Sequence, residues 1–185
     1  RYAQLNHIET MLKYMLLTAA VIGTLGLRAQ DRDYTYNLKQ AVDEIELDGR
    51  LNEQSWQTAQ RADRFTQNFP TDSLPAKSRT EAMMTYDDDF LYVAAICYDD
   101  LPGDYVAQSL QRDFSYPRND AFAVQIDPLD DQTNGFNFTV SPYNVQREGL
   151  LANGGAFGVS TAWDNKWFSK VTRDSGRWVV EMAIP

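Results

Sequence analysis

Residues 80–100 read TEAMMTYDDDFLYVAAICYDD, and the fold class follows from how these side chains alternate. Ala82, Met84 and Tyr86 share one face of an extended segment, and Glu81, Met83 and Thr85 share the other. That period of two predicts a strand with one buried face. Asp87, Asp88 and Asp89 then form a turn, because short carboxylates bond to nearby backbone N–H groups and tolerate unusual dihedrals. Residues 90–98 carry no polar group beyond two tyrosine hydroxyls and one thiol. A strand apolar on both faces belongs in the middle of a sheet with a layer on each side. Each large side chain buried there contributes about 1.5–3 kcal/mol, so this strand is predicted to be central.

Upstream, Val42, Ile45 and Leu47 predict a short strand ending at the Asp48-Gly49 turn. In residues 51–59 (LNEQSWQTA), Asn52 is a candidate helix cap, and Trp56 and Ala59 share a helical face. One or two helical turns carrying Trp56 into the core are expected. Residues 61–79 read as loop, with Phe65, Gln67 and Phe69 alternating as a short edge strand. Residues 101–119 are irregular apart from a helix-like half-turn over 106–110. Residues 121–127 point Phe122, Val124 and Ile126 inward, and residues 135–141 point Phe136, Phe138 and Val140 inward. The glycine-rich residues 153–158 read as a mobile loop. Residues 163–172 and 178–184 form a hairpin around Asp174-Ser175-Gly176, with Trp178, Val180, Met182 and Ile184 inward. Six or more short strands with frequent turns predict an all-β fold, an antiparallel, jelly-roll-like β-sandwich. No βαβ rhythm or internal repeat competes. The chain stops at Ala183-Ile184-Pro185, in or just after a strand, so truncation at the C-terminus is expected.

Residues 1–10 precede the first methionine of a leader-like segment and are left unassigned. Residues 11–29 place Lys13 before the apolar run MLLTAAVIGTLGL and end at Ala29, the pattern of a secretory signal peptide. An N-terminal membrane anchor is the competing reading. Residues 30–41 form a polar lead-in, flexible or at a sheet edge, and residues 42–185 form the sandwich. Without residues 1–29 the chain keeps 14 basic and 25 acidic residues, a formal charge of −11, and no histidine. That excludes Ser-His-Asp and Cys-His catalysis and imidazole-based zinc sites within the segment. The acidic balance argues against nucleic acid. Cys97 is the only cysteine, so no internal disulfide forms, and a buried inert thiol is expected.

Several motifs carry a resemblance. Asp48-Gly49-Arg50-Leu51-Asn52-Glu53 followed by Trp56, Thr80-Glu81 with Tyr86-Asp87-Asp88 and Leu91-Tyr92-Val93, and Asp120 with Asp127 come in order. Trp178 leading to Glu181-Met182-Ala183-Ile184-Pro185 completes them. Together they resemble family 9 carbohydrate-binding modules over residues 42–185. Gln67, Pro70, Pro75-Ala76, Arg112-Asp113, Thr133-Asn134-Gly135-Phe136 and Trp163-Asp164 with Trp167 look like a subgroup common among the Bacteroidetes. In that subgroup an outer-membrane β-barrel of unknown function follows the sandwich. The resemblance implies an exported protein of the periplasm or outer membrane of a Gram-negative bacterium. Its implied partners are an oligo- or polysaccharide and the barrel of the same protein, in the setting of carbohydrate catabolism. In the sugar-binding members a tryptophan stands before the D-x6-D strand, where this chain has Tyr116 and Pro117. An acid of that strand and an arginine of the next are here Ala123 and Thr139. A docking role toward a barrel and membership of a glycoside hydrolase are the alternative implications.

Sugar sites need flat aromatic faces for ring C–H patches and amides, carboxylates or guanidinium groups for hydroxyls. Arg112, Asp113, Tyr116 and Asp120 are the candidate polar cleft with one aromatic wall. The alternative for Arg112 is an ion pair with an aspartate that pins the loop. Trp163 is either an outward stacking platform or core, and Trp167 is core. Asp127, Asp130 and Asp131 are candidate calcium ligands, with Asp87 to Asp89 second, against a reading as solvated turn carboxylates. No other cofactor is implied. Nothing pairs two carboxylates across a cleft as glycosidase chemistry requires, so no catalytic residue is assigned.

Overall fold

The apolar run at residues 91–98 does become the middle strand of a sheet. The computed structural model describes residues 34–71, 74–101, 103–155 and 158–185. The leader reading for residues 11–29 falls outside them. Within the unit Tyr36–Pro185, the strands are β1 (Lys39–Gln40), β2 (Thr80–Tyr86), β3 (Leu91–Tyr98), β4 (Phe122–Ile126), β5 (Gly135–Val140) and β6 (Gln146–Leu151). β7 (Val159–Ser160), β8 (Phe168–Asp174) and β9 (Arg177–Ile184) complete the set, with one short helix, α1 (Gln54–Thr58). One sheet runs β1-β2-β3-β9-β8 and the other β4-β5-β6-β7. Every pairing is antiparallel except β1 with β2.

The sheets pack face to face. Val93 and Ala95 of β3 and Val180, Met182 and Ile184 of β9 meet Phe138 and Val140 of β5, with Trp167 and Trp178 filling the layer. The predicted inward sets of β4, β5 and β9 therefore hold. The turn chemistry holds as well, since Asp87 Oδ1 accepts the N–H groups of Asp89 and Phe90 at 2.9 and 2.8 Å.

A third layer covers the far side of the larger sheet. Trp56, Met83, Tyr92, Ala94 and Ala183 form a second core, with Ile45, Leu47 and Leu51 packed onto it. The face of β2 carrying Met83 and Thr85 is thus buried too, at 0% and 2% exposure, where alternation alone predicts one buried face. The strand expected at Val42 to Leu47 is absent. The edge strand is Lys39–Gln40 instead, and Ile45 and Leu47 contribute by packing rather than pairing. Asn52 does not cap α1. Asp43, eleven residues upstream, accepts the N–H groups of Gln54 and Ser55 at 2.6 and 3.0 Å. Phe65 to Phe69 contain a single isolated bridge, Thr66 with Pro75, rather than an edge strand, and residues 106–110 form no helical turn.

Glu181, in the middle of β9, is completely buried beneath this third layer. Trp56 Nε1 donates to its Oε1 at 3.0 Å and Gly49 N to its Oε2 at 2.7 Å. Gly49 has φ +82, and a Cβ there would lie 2.3 Å from Thr172 Cγ2, so the turn can reach the carboxylate only as glycine. Burial pushes the Glu181 carboxyl up to about 7, against the two donated hydrogen bonds. The unfolded chain releases this proton near pH 4.5 and the folded chain near 7. Its stabilising contribution is full below pH 4.5 and falls by about 3 kcal/mol as pH rises through 7. Urea unfolding of the wild type and Glu181→Gln across pH 4.5–8 reads this directly. The difference between their stabilities should slope downward with pH, and a flat difference would exclude the linkage.

Candidate functional site

The two outward faces of the sandwich differ. That of the five-stranded sheet lies under the third layer. That of the four-stranded sheet carries polar and small residues. Residues opposed in an antiparallel register share a face. Ala123 opposes Thr139 and Gln125 opposes Asn137. Thr139 opposes Arg147 and Asn137 opposes Gly149. Since Phe122, Val124 and Phe138 pack inward, these six residues point away from the core. Thr139 and Asn137 are nonetheless buried, at 0% and 3% exposure, and Thr139 Oγ1 donates to Asn137 Oδ1 at 2.8 Å. They form a fixed polar floor. Arg147 is half-buried beside them, and its side chain has no hydrogen bond or ion pair among the described residues. Gly149 lets β7 close in, because a Cβ there would stand 2.3 Å from the Ser160 carbonyl oxygen.

The loop 104–120 is tied at both ends. Asp120 and Val106 exchange backbone and side-chain bonds at the start of β4, with Asp120 Oδ2 accepting Val106 N at 2.7 Å and Asp120 N donating to Val106 O at 2.8 Å. At the other side, Asp113 N donates to Gln146 O of β6 at 3.1 Å. Phe122, Val140 and Gln146 occupy one transverse row. The loop therefore spans the end of the sheet nearest Ala123, Thr139 and Arg147. Tyr116 sits in its middle, in a single 3-10 turn over Tyr116–Arg118, and is 44% exposed.

Arg112 locks this loop. Its guanidinium pairs through Nη2 with Glu148 Oε1, Nε also donates to that oxygen at 3.1 Å, and Nη1 donates to Gln146 Oε1 at 2.8 Å. Glu148 is fully buried, and its other oxygen accepts Trp167 Nε1 at 3.1 Å. The ion pair expected for Arg112 is therefore made, but with a glutamate of β6. Asp113, next to it, holds a left-handed backbone (φ 62) and buries its Oδ1 with no hydrogen-bond partner among the described residues. Burial, then the Glu148 charge, raises its carboxyl pKa.

The five predicted site residues take different places. Arg112 and Asp113 anchor the loop, Tyr116 stands exposed on it, and Asp120 closes its base. Trp163 lies two residues before Asn165, whose carbonyl accepts Arg112 Nη2 at 3.4 Å, and is half-buried with its ring 5.0 Å from Phe136 and 6.2 Å from Phe138. It lines an apolar cavity of about 320 Å³ with Leu91, Ile126 and Ile184. Trp167 is core, 5.3 Å from Phe138. β8 begins only at Phe168, so Trp163 and Trp167 do not lie on one continuous strand.

The acidic turns spend their oxygens on their own backbone. Asp127 accepts the N–H groups of Leu129 and Gln132 at 3.1 and 2.7 Å. Asp131 Oδ1 accepts those of Thr133 and Asn134 at 2.7 and 2.8 Å, which holds its carboxyl below the usual range. Asp130 adopts φ 52 in the same turn. Among the described residues no three acidic, cysteine or histidine side chains converge as a metal site.

Sequence reasoning missed β6 altogether, and with it Glu148 and Arg147. The segment QREGLL has no period of two, and its glycine reads as a breaker. The one available signal was Arg112 itself, a cation for which an ion-pair partner was expected.

No family model and no curated protein matches the chain. Among solved structures, a family 9 carbohydrate-binding module from Caldicellulosiruptor kristjanssonii in complex with glucose is similar at TM-score 0.54 and 15% identity, over 80% of this chain and 68% of that one. The module from the same organism in complex with cellotriose is similar at the same TM-score and identity, over 80% of this chain and 66% of that one. The fold is thus a β-sandwich like that of family 9 carbohydrate-binding modules.

Proposed function

We propose that this domain binds a carbohydrate chain on the outward face of the four-stranded sheet. The observation that carries the proposal is a half-buried Arg147 whose side chain has no hydrogen bond or ion pair among the described residues, set beside the buried Asn137–Thr139 polar floor. Guanidinium and amide groups match sugar hydroxyls, and Tyr116 at the end of the sheet offers an aromatic face for ring C–H groups. The similar folds were solved with glucose and cellotriose, which makes β-linked glucans the first ligands to try.

Calorimetry against a glycan panel including cellotriose tests the function, and absence of binding to any glycan overturns it. Arg147→Ala should weaken the best ligand at least tenfold, about 1.4 kcal/mol, while leaving the thermal midpoint unchanged. An unchanged affinity would move the site elsewhere. Export belongs to the same proposal and rests on the leader-like residues 11–29. Recovery of the full chain only in the cytoplasm after cell fractionation would exclude it.

Docking onto an outer-membrane barrel is a second reading, favoured by one observation. Phe69 and Leu74, on the 62–76 excursion, are 86% and 51% exposed, an apolar tip suited to burial against a partner. Paired Phe69→Ser and Leu74→Ser changes that leave co-purification with the barrel unaltered would remove it.

A further inference from the structure

The end of the sandwich where β3 finishes and β4 and β9 begin holds a cavity of about 330 Å³. Topology sets its walls. β3 runs out through Tyr98 into Asp99, the return loop brings in Asp104 and Tyr105, β4 enters past Asp120, and β9 brings in Trp178, its second residue. Three carboxylates and four aromatic rings therefore surround one space, and among the described residues no lysine, arginine or histidine lines it.

The carboxylates are largely unspent. Asp99 and Asp104 have no side-chain hydrogen bond or ion pair among the described residues, and Asp120 uses only one oxygen, on Val106 N. Arginines nearby are already engaged, Arg79 with the outer side of the lining through Tyr98. Arg79 stacks on Tyr98 with its Cζ 3.6 Å from the ring centroid, and Arg173 stacks on Tyr143 at 4.4 Å. Arg177 bonds Asp174 at 3.0 Å. Cys97 adds no charge to the wall, since burial pushes its thiol up to about 12. Burial, followed by Asp99 and Asp174, raises the Tyr105 hydroxyl, against the opposing charge of Arg173.

An anion would be repelled here. A bare metal ion would find no converging set of three ligating side chains among the described residues. A cation with an apolar body matches both components of the lining, because ammonium groups are attracted by carboxylates and by aromatic faces alike. We propose that this cavity binds a small organic ammonium ion, its charge met by Asp99, Asp104 and Asp120 and its alkyl body set against Tyr105 and Trp178. The proposal is independent of carbohydrate binding on the sheet face.

Amide-resolved NMR titration with choline, ethanolamine and 3,3-dimethylbutan-1-ol, the neutral isostere of choline, tests it. At least one cation should shift the amides around Asp99, Tyr105 and Asp120, with millimolar or tighter affinity that weakens as salt is added. The neutral alcohol should bind at least tenfold more weakly than choline. The double variant Asp99→Asn, Asp104→Asn alters two uncommitted carboxylates, and its own spectrum reports whether it is folded. It should weaken cation binding at least tenfold. Absence of shifts from both cations at tens of millimolar, equal binding of choline and the alcohol, or unchanged affinity in the folded double variant would each overturn the assignment.

Discussion

Trp56→Ala should lower the unfolding free energy by about 3–5 kcal/mol, read as a fall in urea midpoint by far-UV circular dichroism. Trp56 is 1% exposed and sits at the centre of the layer with Met83, Tyr92, Ala94 and Ala183. Truncation empties the space between the sheet and residues 45–59. It also strips Glu181 of one of its two hydrogen-bond donors, leaving Gly49 N alone to satisfy a buried carboxyl. Trp56→Phe separates the two effects. It keeps most of the packing and loses only the N–H, so its cost should be about 1–2 kcal/mol. If alanine cost less than about 1 kcal/mol, the third layer would not be part of the cooperative core. Sugar affinity should not change in the folded fraction of either variant, because this layer lies on the opposite side of the sandwich from the Arg147 face.

Strand identity and inward faces were legible wherever a short segment carries its own pattern. The 80–100 hairpin alternates and then runs apolar, and β3 sits in the middle of its sheet as that run requires. β5 and β9 alternate as cleanly. The third layer was only half legible. Trp56 read as core, but Asp43 capping α1 from eleven residues upstream and Gly49 reaching Glu181 across the sequence depend on tertiary placement. Local patterns such as a potential Asn52 cap gave way to those distant contacts. β6 was invisible for a related reason. Its buried glutamate is stable only because Arg112 and Trp167, far away in sequence, reach it. The candidate site suffered most. Arg112 and Tyr116 stood out as residue types, but the sheet face behind Tyr116 is a property of register. Only the pairing of β4, β5 and β6 puts Gln125, Asn137, Thr139 and Arg147 together.

The link between that loop and that face makes the Arg112–Glu148 pair the other place where one substitution should have a large effect. The two partners are unequally exposed, at 44% for the Arg112 side chain and 0% for Glu148. The consequences of removing them should therefore differ. Arg112→Met leaves a buried carboxylate with only the Trp167 indole N–H, and uncompensated buried charge costs about 3–5 kcal/mol. Glu148→Gln keeps an oxygen for Trp167 and frees a guanidinium that can turn toward water, so about 1–2 kcal/mol is expected. The double variant Arg112→Met, Glu148→Leu should be less destabilised than Arg112→Met alone, since it removes the stranded charge. Urea midpoints of the wild type and the three variants read all three values. An Arg112→Met cost below about 1 kcal/mol, the range of an exposed ion pair, would show that the loop is held by its backbone bonds alone. The same variant should also weaken carbohydrate binding while the sandwich stays folded, because it loosens the span that positions Tyr116 over the sheet end. Unaltered affinity in a folded Arg112→Met protein would separate the loop from the binding face.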